Sequence, residues 1–381
     1  MKILGIETSC DETAAAVVLD GHTLLSNVVA SSMDLHAKYG GVVPEIAARS
    51  HIESITPVIE QALTEAFQKE DISLKIEDGK NKKPNSTFHL PPSKFDPWDQ
   101  IDGIAVTYGA GLGGSLLVGV LTARTLAIIH KKPLYAVNHV EGHLYASFLT
   151  NTSLPNYTLP VNAPQFPVLG LIVSGGHSQL VYFRDHFDYD LLGQTKDDAI
   201  GEAFDKVAKI LGLPYPGGPS VSKMAIKGEP RKYTLPKSKM PGKYDFSFSG
   251  LKTAVLRLAQ KECGKLHDFP STKLSALLSD AQKADISASF QRVAIETVVD
   301  KTVLAFDQFQ PKTVIIGGGV ASNAELRAQL TDRLPLQILY TDTKLCTDNG
   351  AMIAALGCFK MKLDQQVADP YNLVISPNLS M

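Results

Sequence analysis

Apolar and polar positions along the chain repeat one order twice. Lys2–Glu7 is a nearly unbroken apolar run of the length and type found in a strand covered on both faces. It ends in a polar turn, Thr8-Ser9-Cys10-Asp11-Glu12-Thr13, and apolar stretches over 13–19 and 24–31, separated by Gly21-His22, predict two more strands. Residues 42–66 then carry apolar side chains at helical spacing. From residue 168 the order returns: a buried strand over 168–173, the turn Ser174-Gly175-Gly176-His177-Ser178, strands over 179–183 and 190–194, and a helix over 198–211. Such a duplication predicts an α/β protein of two similar lobes, each with a polar turn facing the cleft between them. Ligands of α/β sheets bind in such clefts, beyond the strand ends.

The remaining segments complete each half. A strand over 101–107 leads into Gly109-Ala110-Gly111-Leu112-Gly113-Gly114-Ser115, an apolar helix over 116–130 and a strand over 133–137. Later come a rigid turn, Pro216-Gly217-Gly218-Pro219, a helix over 287–306, a strand over 312–316 and the loop Gly317-Gly318-Gly319-Val320-Ala321-Ser322-Asn323 before another helix. That last loop would seat a nucleotide on backbone amides, with Asn323 free to bond a sugar or base. Residues 68–100 lose apolar periodicity while lysines gather at 80–83 and prolines recur, the pattern of a loop or disordered surface insertion. The expected division is a first lobe over 1–135, bearing the insertion and rejoined by the terminal helix 349–381, and a second lobe over 136–348. A length of 381 residues exceeds what one core usually serves, which agrees with two lobes.

Composition narrows the class more than the chemistry. With Lys+Arg 37 against Asp+Glu 39 the net charge is -2, so affinity for a nucleic acid has to come from local patches. Cys10, Cys263, Cys346 and Cys358 show no Cys-x-x-Cys spacing, which argues against a disulfide framework or a cysteine-zinc site and fits a reducing compartment. The chain enters a strand at once, with no signal-like or transit-like segment and no long apolar run, so a soluble cytoplasmic protein is expected.

The chemistry centres on Asn138-His139-Val140-Glu141-Gly142-His143. Histidines at i and i+4 lie on one helix face, where both rings can reach one metal ion. The zinc-protease pattern places a glutamate directly after the first histidine; here Val140 stands there and Glu141 points elsewhere, so the usual hydrolytic base is missing. The alternative is two unrelated histidines on a polar face. Asp348, in the polar turn Cys346-Thr347-Asp348-Asn349, is a candidate third ligand, and a set of two imidazoles and one carboxylate suits iron(II) and zinc alike. Residues 223–252 gather Lys223, Lys227, Arg231, Lys232, Lys237, Lys239, Lys243 and Lys252 among Tyr233, Tyr244, Phe246 and Phe248. The run reads either as a solvated face or as an RNA-contacting loop.

Several stretches together resemble one family. They are Gly5-Ile6-Glu7-Thr8-Ser9-Cys10-Asp11-Glu12-Thr13, Gly40-Gly41-Val42-Val43-Pro44-Glu45, His139-Val140-Glu141-Gly142-His143, Val173-Ser174-Gly175-Gly176-His177, Gly201-Glu202-Ala203-Phe204-Asp205-Lys206, Tyr215-Pro216-Gly217-Gly218-Pro219, Asp245-Phe246-Ser247-Phe248-Ser249-Gly250-Leu251-Lys252 and Cys346-Thr347-Asp348-Asn349-Gly350-Ala351-Met352. The resemblance is to the universal tRNA threonylcarbamoyladenosine transferases of the bacterial TsaD type, once described as O-sialoglycoprotein endopeptidases, and it spans almost the whole chain. Departures are small: Ala110 stands where proline is common, Ala321-Ser322 reverses the usual order, and residues 68–100 are extra.

The resemblance implies the actin/Hsp70/sugar-kinase fold and transfer of a threonylcarbamoyl group from threonylcarbamoyl-adenylate to N6 of the adenosine beside the tRNA anticodon. It implies that His139, His143 and Asp348 hold one divalent metal ion per subunit, iron(II) ahead of zinc. It further implies that Ile172, Val173, Ser174, Gly175, Gly176, Asp205, Gly218 and Asn323 hold the adenylate, and that tRNA, a TsaB-like paralogue and a TsaE-like ATPase are partners, with no membrane involved. Asp11 and Glu12 would lie opposite, orienting the ligand or accepting a proton. The competing classes are a metal-dependent endopeptidase, an ATP-using chaperone or kinase of the same fold, and a nucleotide-binding scaffold.

Overall fold

The computed structural model describes residues 1–76 and 96–381; residues 77–95, where most of the expected insertion falls, lie outside the described residues. The first half runs β1 (Lys2–Glu7), β2 (Glu12–Leu19), β3 (Thr23–Ser31), α1 (Met33–Ala37), α2 (Pro44–Ile76), β4 (Gly103–Gly109), α3 (Gly113–His130), β5 (Leu134–Asn138) and α4 (His139–Tyr145). After the short β6 (Asn151–Thr152), the second half runs β7 (Val168–Val173), β8 (Ser178–Asp185), β9 (Asp188–Gln194), α5 (Ile200–Leu211), α6 (Gly217–Ala225), α7 (Ser249–Glu262), α8 (Asp280–Phe309), β10 (Thr313–Gly317), α9 (Ala324–Arg333), β11 (Leu339–Tyr340) and α10 (Gly350–Lys362).

The duplication is explicit in the sheets. One has the order β5-β4-β1-β2-β3-β6 and the other β11-β10-β7-β8-β9. In both, the first two strands of the half pair antiparallel, as do the second and third, while the fourth joins the first in parallel. Leu4 and Ile6 face a core shared with α2 and α3, whereas Ile3 belongs to a second core built with α10, so β1 is covered on both faces.

α10 reaches the first sheet because small residues line both surfaces. β2 offers Ala14 and Ala16, and α10 offers Gly350, Ala351, Ala354, Ala355 and Gly357. A Cβ at Gly5 would run into the backbone of Gly350 and Ala354. The helix thus sits on β1 at backbone distance, with its side chains filling the flanks.

Several elements differ from expectation. α2 continues to Ile76, so the start of the expected insertion is helical. At its far end Pro97–Gln100 forms a 3-10 turn whose Trp98 ring stacks on His130 at 3.9 Å. The expected rigid turn around Pro216 opens helix α6, since Pro219 falls in the first helical turn, where a missing N–H costs nothing. α8 begins seven residues early, at a capping box in which Ser279 Oγ accepts from Gln282 N (3.2 Å) and Gln282 Oε1 accepts from Ser279 N (3.0 Å). α3 begins at Gly113, before the expected start, so Ser115 lies within that helix, its Oγ donating to the Cys10 carbonyl at 3.2 Å. α3 is also, by length and composition, apolar enough to cross a membrane, which the expectation of no long apolar run missed. In the fold its buried side, including Val120, Ala123 and Ala127, lies against the first sheet.

Gly5→Ala should therefore lower stability by about 1–3 kcal/mol, the usual cost of overpacking, read as a lower denaturant midpoint at unchanged slope. Gly250→Ala, whose nearest neighbour to an added Cβ is Ser238 Oγ at 3.9 Å, serves as the control and should not lose stability. Equal midpoints for wild type and Gly5→Ala would refute the close seating of α10.

Candidate metal centre and its flanking loops

The centre forms where the two halves exchange helices. β5 belongs to the first sheet, but Val140 and Leu144 of α4 pack with Val168, Ile172 and Ile315 of the second. Asn138 caps α4: its Oδ1 accepts from Val140 N at 2.8 Å, and its Nδ2 donates to the Ser380 carbonyl at 3.2 Å. The cap fixes His139 as the first helical residue and His143 one turn on, with ring centroids 4.7 Å apart. Asp348 arrives from the other direction, just before α10, where Asn349 caps the helix by accepting from Met352 N at 3.0 Å. Asp348 Oδ1 stands 3.5 Å from His139 Nε2 and 3.4 Å from His143 Nε2. All three ligands expected from the sequence are thereby brought within 4.8 Å of one another.

Sequence reasoning missed Glu7. Its carboxylate, fully buried at the end of β1, accepts from Thr107 Oγ1 and Ser9 N, each at 2.5 Å, and lies 3.1 Å from His139 Nδ1. An ionised Glu7 keeps the His139 proton on Nδ1 and turns Nε2 toward Asp348. The signal was a carboxylate closing an apolar strand, a place it occupies only when paired.

The donor set fits a divalent cation. Among the described residues neither ring nitrogen of buried His143 has a hydrogen-bond partner, a cost that an ion drawing on one of them removes. Burial drives the His143 ring well below the ordinary histidine range, so it is neutral and ready to ligate. Burial also lowers His139, but Asp348 and Glu7 outweigh it and raise the ring to about 9. Burial raises Asp348 to about 6 against the opposing pull of His139.

The Asp11/Glu12 turn lies beside this cluster: burial, then Asp348 and Asp11, push the Glu12 carboxyl up to about 10. Across the cleft β7 ends at Val173, and the following turn is closed by Ser174 N donating to His177 O (2.8 Å) and His177 N to Ser174 Oγ (3.1 Å). Added Cβ atoms at Gly175, Gly176 and Gly218 would meet nothing within 4 Å, so these backbones face open space. Ile172 and Val173 are fully buried and can offer only backbone groups. Asp205, on α5, accepts from Gly217 N at 2.6 Å and thereby fixes the loop before Gly218. Asn323 differs from the reading that left it free: its Oδ1 accepts from Leu326 N (3.1 Å), and its Nδ2 donates to Ser222 Oγ (3.0 Å) and Gln291 Oε1 (3.1 Å).

The aromatic-basic run differs from expectation at its aromatics and at two of its lysines. Tyr244, Phe246 and Phe248 are buried in the second core and cannot stack on bases. Lys237 is paired with Glu296 (2.8 Å) and Asp300 (2.9 Å), and Lys252 with Asp198 (2.8 Å).

Comparison with known proteins follows the same outline. Residues 23–75 and 97–355 match the TsaD family, described as tRNA N6-adenosine threonylcarbamoyltransferase. The chain is 47% identical to the tRNA N6-adenosine threonylcarbamoyltransferase of Thermomicrobium roseum over 93% of this chain and 90% of that one. It is 44% identical to that of Desulfitobacterium hafniense over 100% and 98%. Among solved structures, HypF of T. kodakarensis is 14% identical with a TM-score of 0.56, covering 96% of this chain and 49% of its own. That is a likeness of fold, and with the duplicated sheets it places the chain in the actin/Hsp70/sugar-kinase class.

Glu7→Gln should weaken Zn2+ or Fe2+ binding by about 10–100-fold, the usual effect of losing the carboxylate behind a ligating histidine, while His139→Ala, His143→Ala and Asp348→Ala should abolish it. Metal content after dialysis against a graded chelator reads both; full occupancy in the three alanine variants would refute the centre.

Proposed function

The chain belongs to the family of tRNA N6-adenosine threonylcarbamoyltransferases, and from that membership we propose how its residues divide the reaction. It is an acyltransferase that moves the threonylcarbamoyl group of threonylcarbamoyl-adenylate onto N6 of the tRNA adenosine beside the anticodon, forming t6A and releasing AMP. The observation that carries the site reading is the convergence of His139 and His143 on Asp348 across the two halves. The endopeptidase reading is not favoured: Val140, fully buried and apolar, stands where that chemistry needs a carboxylate.

An exocyclic adenine amine is a weak nucleophile, so the transferred carbonyl has to be polarised and the AMP phosphate neutralised. A divalent ion held by His139, His143 and Asp348, iron(II) or zinc, would supply Lewis-acid polarisation there. The Gly175 and Gly176 amides, open to the cleft, would donate to anionic oxygens of the adenylate. Asp205 and Gly218 would hold the nucleoside side, and Asn323 would act by fixing the loop through its cap and its bond to Gln291. As N6 bonds to the carbonyl carbon and the bond to AMP breaks, N6 sheds a proton. Asp11 is our assignment for its acceptor, with the Glu12 carboxyl beside it, which burial keeps protonated, in place to donate a hydrogen bond.

A partner protein fits the first lobe. Ile52 on α2 is 66% exposed, and on α3 Leu117 is 46%, Leu121 47% and Ile129 64% exposed. Ala48 lies against Gly114, which sets the two helices side by side. This apolar face suits a TsaB-like paralogue, with a TsaE-like ATPase completing the assembly and the complex working in the cytoplasm.

Nucleoside mass analysis of tRNA incubated with the protein, threonylcarbamoyl-adenylate and these partners should show t6A, and its absence would refute the proposed division of roles. Leu117→Asp/Leu121→Asp should abolish co-elution with the paralogue while leaving metal content unchanged. Undiminished co-elution would move the interface elsewhere.

A further inference from the structure

α7 connects the cleft to a second feature of the surface. Its first turn is held by Asp197, which accepts from Phe248 N (2.8 Å) and Ser249 Oγ (2.6 Å), and by Lys252 paired to Asp198. Asp198 also pairs with Lys206 of α5 at 2.7 Å. An added Cβ at Gly201, in the first turn of α5, would meet the Gly175 backbone, so this end of α7 belongs to the rim of the cleft. Its far end, with 14 residues in the helix, is about 20 Å away at 1.5 Å per residue. There lies an open groove of about 540 Å³ with Arg257, Lys261, Lys265 and His267 around Leu258 and Leu266.

The charge of this groove is one-sided. All four polar side chains are exposed, and among the described residues no carboxylate lines it. Among the described residues neither Lys261 nor Lys265 has an ion pair, in contrast to Lys196, Lys206, Lys237 and Lys252 of the same half. Arg257 donates one nitrogen to the His267 carbonyl (2.8 Å) and to Gln260 Oε1 (3.1 Å), which fixes the guanidinium at the rim. Leu266 is 79% exposed between the two cationic sides.

We infer that this groove takes the phosphate backbone of the tRNA substrate, away from the base that reacts. The inference rests on the activity stated above. An adenylate in the cleft cannot span about 20 Å, whereas a polynucleotide whose adenine enters the cleft carries phosphates over that distance. A chain of net charge -2 gains polyanion affinity only from such local concentrations of unpaired cations. The apolar floor fits a ribose or an unstacked base between phosphates.

The test compares wild type with Lys261→Glu/Lys265→Glu, and with Lys261→Arg/Lys265→Arg as the rescue. Direct tRNA binding is measured at several salt concentrations, and transfer is measured separately. The charge reversal should weaken tRNA binding at least tenfold near 0.1 M salt and reduce the logarithmic salt slope by about 2. The KM for tRNA should rise while kcat, adenylate affinity and melting temperature stay at wild-type values, and the arginine pair should restore binding. Coincident binding curves for wild type and the reversal would overturn the inference, as would loss of a protein partner with tRNA binding unchanged. Failure of the wild type to form t6A while the reversal still weakens tRNA binding would count against the transfer activity and support the groove.

Discussion

The structure depends on a crossing. α4 leaves the first sheet to pack on the second, and α10 leaves the second half to pack on the first. Their N-terminal ends meet between the sheets, so His139, His143 and Asp348 share one buried volume with Glu7. Charges removed from water survive only when they satisfy one another, and here each partner is supplied by a different element: β1, α4 and the turn before α10. The halves cannot separate without leaving a carboxylate or an imidazole unpaired. The same crossing that links the lobes therefore places His139, His143 and Asp348 at the cleft.

The close approach of α10 makes the crossing possible. Glycine and alanine on both contacting surfaces let the helix backbone settle onto β1 and β2, which fixes the height at which Asp348 enters. The cap at Asn138 does the same for His139. Packing sets the distances, and the charges are placed by it.

Much of this was legible in the sequence because it rests on local patterns. The i, i+4 histidines, the glycine loops and the repeated strand-turn-strand order are properties of short stretches, and the two sheets reproduce that order. What escaped depended on tertiary partners. Glu7 shows its role only once β4 delivers Thr107 and α4 delivers His139. Tyr244, Phe246 and Phe248 alternate with polar residues as a contact loop would, yet the α5–α8 core takes all three. Asn323 looked free because Ser222 and Gln291 lie far from it in the chain. The far end of α7 carries no motif at all; its groove exists only as a folded surface.

The bond from Asn138 to the Ser380 carbonyl has a consequence for how the protein is made. The cap of the first ligand helix is held by a residue near the end of the sequence, and Asp348 too follows His139 by roughly 200 positions. At ordinary elongation rates those groups emerge about 10–40 s after the histidines. A nascent chain can complete its first sheet long before it can complete the centre. During translation the two imidazoles wait for their carboxylate until the second half has emerged and folded back.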